Sequence, residues 1–202
     1  MQTLIYLHGF RSSSRSKKAG ELAAALLHVH ADWEFITPDL SPDPTMAMAQ
    51  IDAITARHAD PAQGITLIGS SLGGFYAHIY AEKLACRAVL LNPSLRPNLT
   101  LAAHVGAQTH LHSGGEFLFS TDHLETLRAL RPQKNSVASG GQTARYLIIV
   151  EMGDELLNHN ETLAAFPACQ SIIVEGGNHD LCSFPKHVGE VLRFAGLADS
   201  EI

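Results

Sequence analysis

Cysteine is scarce in this chain of 202 residues, and so are long apolar runs. Cys86, Cys169 and Cys182 are an odd number without a CxxC pair. That excludes a disulfide framework and a thiolate zinc site of ordinary spacing, and it fits a reducing compartment. No apolar stretch reaches the roughly 18 residues that a membrane helix requires. The short run Met1–Gly9 has neither a basic flank nor a small-residue cleavage site. Positive charge is also in short supply: 14 Lys and Arg face 20 Asp and Glu, a formal charge of −6 with histidine neutral. The one basic run, Arg11–Lys18, is broken by serines, so neither a nucleic acid nor an anionic membrane is an expected partner. Charged residues make up only 17% against 46% apolar, which is the composition of a globular domain rather than a disordered one. A cytoplasmic protein with one hydrophobic core is the expectation. Histidine is abundant, with 12 residues, and the question is which of them do chemistry.

Six short apolar runs recur along the chain: Leu4–Leu7, Trp33–Thr37, Ile65–Ile68, Ala88–Leu91, Tyr146–Val150 and Ser171–Val174. They are nearly continuous rather than alternating, as in parallel strands buried on both faces. Helical spacing lies between them, at Ala19 to Leu27, Met46–His58, Leu72–Leu84, Leu163 with Phe166, and Val188 to Leu192. The alternation predicts an α/β fold in three layers: a mostly parallel sheet of about six strands, helices on both faces, and ligands at the carboxyl ends of the strands. Residues 96–142 break the rhythm. They show no good strand, paired glycines at Gly114-Gly115 and Gly140-Gly141, four histidines, and one helix at Asp122–Leu130, where Asp122 and Glu125 have capping-box spacing. A stretch of this length is too long for an ordinary connection. It is expected to be a cap-like insertion over the sheet's carboxyl edge, within a single domain spanning 1–202.

The most informative segment is Ile65-Thr66-Leu67-Ile68-Gly69-Ser70-Ser71-Leu72-Gly73-Gly74. An apolar strand runs into Gly-x-Ser-x-Gly and a helix begins at once. At such a strand-to-helix elbow the backbone doubles back, so the residues two positions either side of the serine must be small. Ser71 is the candidate nucleophile, with Ser70 the competing hydroxyl. A serine needs a base to take its proton and a carboxylate to orient that base. Two later strands run into Gly153-Asp154-Glu155 and into Glu175-Gly176-Gly177-Asn178-His179. His179 is the candidate base and Asp154 the candidate acid, with Glu155 and Glu151 as alternatives; Asp154 could instead cap a helix over Leu156–Phe166. Two backbone donors for a developing oxyanion are expected at Leu72, which follows the serine, and at Phe10, in the His8-Gly9-Phe10 loop after the first strand. His8 is expected to hold that loop by hydrogen bonds. His104, His110, His112 and His123 show no metal-ligand spacing, so no metal and no cofactor are expected.

Tyr6-Leu7-His8-Gly9-Phe10 with Ser12-Ser13 and Lys17-Lys18, Gly69 to Ala77, Leu91-Asn92-Pro93, Gly153-Asp154-Glu155 and Glu175 to His179 together resemble the YqiA-like bacterial esterases of the α/β-hydrolase superfamily. The resemblance runs from the first strand to the last and leaves out only 96–142. It implies a minimal α/β-hydrolase with a triad of Ser71, Asp154 and His179. Such an enzyme cleaves small acyl esters, or in the alternative acyl-CoA and other thioesters, through an acyl-enzyme. A non-catalytic binding protein on the same fold is the rival from another class.

Overall fold

A computed structural model describes residues 2–27, 29, 33–58, 60–132 and 143–197. His28, His30 and the Gly140-Gly141 pair lie outside the described residues. In chain order the elements are β1 (Gln2–Leu7), α1 (Lys17–Leu26), β2 (Trp33–Ile36), α2 (Pro44–Thr55), α3 (Pro61–Gly64), β3 (Ile65–Ser70), α4 (Leu72–Leu84), β4 (Arg87–Leu91), α5 (Pro97–Thr100), β5 (Gly106–Thr109), β6 (Glu116–Phe119), α6 (Thr121–Ala129), β7 (Tyr146–Glu151), α7 (His159–Ala165), β8 (Gln170–Val174) and α8 (Val188–Ala195).

Six strands form one sheet in the order β2-β1-β3-β4-β7-β8, and every neighbouring pair in it is parallel. Period-two alternation splits its side chains between two cores. Ile5, Leu7, Leu67, Leu90 and Ile148 pack with Ala47 and Ile51 of α2 and Phe75 and Ala81 of α4. Leu4, Tyr6, Ile68, Val89 and Ile149 pack on the other face with Ala19 and Leu22 of α1 and Val191 and Leu192 of α8. Both faces are covered, which is why β1, β3, β4 and β7 read as continuous apolar runs. Because the strands are parallel, the residues that follow β1, β3, β4, β7 and β8 collect along one edge of the sheet.

Helix starts follow local chemistry. Ser16 accepts from Ala19 N at the start of α1, and Asp43 accepts from Thr45 N ahead of Pro44, the first residue of α2. Each satisfies an amide that the first turn leaves without a partner.

Three expectations need correction. Residues 96–142 do contain strands: β5 and β6 pair antiparallel as a separate hairpin. The helix in this region is capped by Ser120, whose side chain accepts from His123 N while His123 Nδ1 takes the Ser120 amide; the box is Ser120 with His123, not Asp122 with Glu125. The helix after β7 starts at His159 under an Asn158 cap, so Asp154 does not cap it.

The hairpin lies against the loop that follows β1. Phe10 makes edge contacts with Phe117 and Phe119 and a tilted contact with His104. Arg11 Nε donates to Thr109 O, and Leu111 N donates to Arg11 O.

Candidate active site

Ser71 sits at the junction of β3 and α4 with φ 55° and ψ −117°, a conformation that costs on the order of 1–3 kcal/mol in a non-glycine residue. The surroundings hold it there. Its amide donates to Leu91 O, and its carbonyl accepts from Gly74, Phe75 and Ser94 amides. The turn admits no side chain at the flanking positions. A Cβ on Gly69 would lie 2.2 Å from Gly73 O, and one on Gly73 would lie 1.9 Å from Leu7 O. The two glycines of the pentapeptide are therefore a steric requirement.

The loops after β7 and β8 meet over this serine. His179 Nε2 is 3.0 Å from Ser71 Oγ, and His179 Nδ1 is 2.9 and 3.0 Å from the two carboxylate oxygens of Asp154. The Asp154 side chain is 2% exposed and that of His179 17%. Asp154 Oδ1 also accepts from the Leu156 and Leu157 amides. Burial pushes the Asp154 carboxyl up, but the hydrogen bonds from His179 and the two amides outweigh it and hold the group below the usual carboxylate range. An ionised carboxylate only accepts. Nδ1 therefore carries the ring proton, and the Nε2 lone pair faces the serine hydroxyl. Hydroxyl, imidazole and carboxylate in this order can move a proton from the serine to the ring while the acid steadies the resulting cation.

The loop after β1 approaches from the other side. Ser12 N donates to Gly9 O, closing a turn in which Arg11 has φ 62°, and the turn leaves the Phe10 amide unused. A Cβ on Gly9 would come 3.3 Å from Ser71 Cβ, so this backbone runs directly beside the serine. Leu72 opens α4, where first-turn amides have no partner within the helix, and the helix dipole there favours negative charge. His8 is buried. Its Nε2 accepts from Leu40 N and its Nδ1 faces Gly9 O at 2.9 Å. Burial lowers its pKa, so the ring stays neutral with its proton on Nδ1 and ties the β1 loop to residue 40.

The alternative carboxylates have other partners. Glu155 Oε2 accepts from the His179 amide. Glu151 is fully enclosed; its Oε2 accepts from Asn178 N at 2.6 Å and its Oε1 from Ser183 N at 2.7 Å. Asn92, to which no role attaches from the sequence, completes this support. It has φ 40° at the end of β4. Its Nδ2 donates to Asn178 O and His179 O, and its Oδ1 accepts from Glu151 N. The available signal was an asparagine at a strand end before a proline, since asparagine tolerates the left-handed region.

The insertion histidines do not converge. His104 and His110 lie against Phe10 and Phe117, His123 caps α6, and the His112 carbonyl accepts from Arg15. Among the described residues, no three His, Cys, Asp or Glu side chains are grouped so as to hold a metal ion, and no helix is long and apolar enough to cross a membrane.

The fold recurs in solved structures. Est1E from Butyrivibrio proteoclasticus matches with a TM-score of 0.67 at 15% identity, over 96% of this chain and 88% of that one. Alpha/beta hydrolase domain-containing protein 10 from mouse matches with 0.66 at 14% identity, over 95% and 89%. The methylesterase protein MES16 from Arabidopsis matches with 0.62 at 12% identity, over 96% and 100%. At these identities the likeness speaks to the fold, which is that of the α/β-hydrolases. Residues 3–196 match the family described as Uncharacterised protein family (UPF0227), and the chain belongs to that YqiA-like family.

Proposed function

We propose that this chain is a cytoplasmic serine carboxylesterase that hydrolyses small acyl esters with Ser71, His179 and Asp154. The observation that carries the reading is the unbroken contact chain from Ser71 Oγ through the His179 ring to Asp154. In the cycle, His179 Nε2 takes the Ser71 proton as Oγ attacks the acyl carbonyl carbon. The amides of Phe10 and Leu72 receive the oxyanion, a contribution worth about 3–4 kcal/mol per donor in sites of this kind. The tetrahedral intermediate collapses, the C–O bond to the leaving group breaks, and His179 returns its proton to that oxygen. Water, deprotonated by the same ring, then attacks the acyl-enzyme, and the carboxylic acid departs with Ser71 reprotonated. Asp154 keeps the ring in one tautomer and stabilises its cationic form.

In the same proposal the chain is one domain, with 96–142 as a cap-like insertion. Its β5–β6 hairpin braces the oxyanion loop through Phe10, Phe117 and Phe119. The triad fixes the nucleophile and not the leaving group, so oxygen esters and thioesters are tested side by side.

The test is Ser71→Ala. Hydrolysis of p-nitrophenyl and thioester substrates is expected to fall by about 10⁴-fold or more, and labelling by a fluorophosphonate probe is expected to vanish while the melting curve is retained. Persistent hydrolysis or labelling in the variant removes Ser71 from the mechanism. A folded wild-type protein that neither labels nor hydrolyses is a binding module.

A further inference from the structure

Arg11 stands where the chain would favour glycine. It is the third residue of the turn that Ser12 N closes on Gly9 O, and its φ of 62° lies in the left-handed region that a side chain disfavours. Turns with a positive φ at this position take glycine for that reason. The residue is only half-buried, so packing in the core does not offset the strain. A strained side chain persists where its surroundings hold it, and such positions cluster at functional sites.

The β5–β6 hairpin holds this one. Arg11 O accepts from Leu111 N at 2.8 Å, and Arg11 Nε donates to Thr109 O at 2.9 Å. The first bond uses the backbone and would survive with glycine; the second needs the guanidinium. One residue earlier, the Phe10 ring meets Phe117 and Phe119 with centroids 5.8 and 4.8 Å away. On the other side of Phe10, Gly9 runs beside the nucleophile, where a Cβ would come 3.3 Å from Ser71 Cβ. Glycine leaves its own dihedrals soft, so the orientation of the Phe10 amide is set from the hairpin side. Phe10, Arg11 and Leu72 line one cleft at this point, which joins the turn to both amides proposed to receive the oxyanion.

We infer that Arg11 is a positioning residue for the oxyanion hole: its guanidinium, anchored on Thr109 O, fastens the turn to the hairpin and aims the Phe10 amide at the reacting carbonyl oxygen. Charge on that oxygen develops in the transition state, and a donor acts only at hydrogen-bond distance from it. Loosening the anchor therefore lowers kcat and leaves KM. Complete loss of one donor costs about 10²–10³-fold. A turn that keeps its backbone bonds but loses its anchor is expected to lose about tenfold.

This inference rests on the serine-esterase reading, and the experiment keeps the two apart. Arg11→Gly removes both the strain and the anchor, Arg11→Met keeps the strain and removes the anchor, and Arg11→Lys keeps a donor on a flexible stem. Each is compared with wild type by melting, by hydrolysis of p-nitrophenyl acetate and by inhibition with a trifluoromethyl ketone. The ketone adds reversibly to Ser71 Oγ; the serine proton passes to His179 and the carbonyl oxygen becomes an oxyanion held by the same amides, as in the transition state. The glycine variant is expected to melt about 2–4 °C above the methionine variant. Both are nevertheless expected to lose about tenfold in kcat with KM within about threefold, and to bind the ketone about tenfold more weakly. Lysine is expected to restore kcat to within about threefold of wild type. An arginine that served stability alone would make activity follow the melting order. Wild-type kcat and Ki in Arg11→Gly, or a lysine variant no faster than the methionine one, overturns the positioning role. A raised KM with unchanged kcat also overturns it and makes Arg11 a substrate contact. Folded wild type that neither cleaves the ester nor binds the ketone overturns the esterase reading, and this inference with it.

Discussion

Replacing Glu151 with glutamine tests how His179 is held in place. The Glu151 carboxylate is fully enclosed and accepts backbone N–H groups from Asn178 and Ser183, one on each side of His179. Glutamine keeps the shape but turns one acceptor oxygen into an NH₂, which would face one of those two N–H groups. One charge-assisted bond is lost and one buried donor is left without a partner, at a combined cost of about 2–4 kcal/mol. For a chain of this size that lowers Tm by roughly 5–15 °C. The kinetic consequence is separate. A displacement of the imidazole on the order of 1 Å costs about 10²-fold in rate, so kcat for a short ester is expected to fall about 10- to 100-fold with KM within about threefold. A purely structural role would lower the active fraction without altering the turnover of the molecules that remain folded, so active sites are counted by fluorophosphonate titration. Burial pushes the Glu151 carboxyl up, but hydrogen bonds from Ser183, Asn178 and Cys182 outweigh it and leave it below the ordinary range. A depressed carboxylate pKa stabilises the fold above the unfolded value, about 4.3, and that contribution is lost as pH falls through the folded value. The stability gap between wild type and Glu151→Gln is therefore expected to be widest near neutrality and to close in acid. Wild-type turnover per titrated site, together with an unshifted melt at pH 7, would refute the positioning role.

Two further outcomes follow from buried geometry. Gly73→Ala puts a Cβ 1.9 Å from Leu7 O, a clash with backbone that no rotamer relieves; the variant is expected to lose at least about 3 kcal/mol or to fail to fold, and a native melting curve would show that the β1–α4 approach is looser than described. His78 is buried against Tyr146 and Phe166, with Nδ1 3.0 Å from Tyr146 Oη, and burial lowers its pKa from 6.5 to about 4. Between those values the unfolded chain binds the proton and the folded chain does not. Stability is therefore full above pH 6.5 and declines by about 3 kcal/mol as pH falls to 4. Denaturant titrations across pH 4–7 are expected to show a steeper slope in wild type than in His78→Gln by about this amount, the buried His8 contributing to both, and equal slopes would refute it.

What the sequence displays and what it hides divide by the range of the physics involved. The central strands β1, β3, β4 and β7 are legible because burial on both faces makes each a run of apolar residues, and the elbow because Gly69 answers a clash with an atom only four residues on. The β5–β6 hairpin is hidden. Gly106-Ala107-Gln108-Thr109 carries one small apolar residue, and its pairing is driven by Phe117 and Phe119 meeting Phe10, a residue over a hundred positions earlier. The cap of α6 shifts for a related reason: Phe119 is wholly buried in the sheet core, which carries the strand up to that residue and makes Ser120, rather than Asp122, the first residue free to turn.

The support around His179 is hidden most deeply. In a strand buried on both faces, alternation does not tell which way a terminal carboxylate points, so Glu151 stays an alternative to Asp154 in the sequence, both being acids at the end of β7. Register separates them. Glu151 is the last paired residue of β7, opposite Val174 on β8, and is thereby turned in beneath the loop that leaves β8. Asp154 stands three residues later, past Gly153, whose amide donates to Gly176 O and where a Cβ would lie 2.6 Å from Gly177 O. Gly177 in turn has φ 74°, and a Cβ there would strike Glu151. The two glycines before Asn178 thus let the loop pass over one carboxylate and deliver the imidazole to the other. Glu151 is committed to backbone amides and Asp154 reaches the ring, and this division leaves the His179 imidazole one carboxylate as its hydrogen-bond partner.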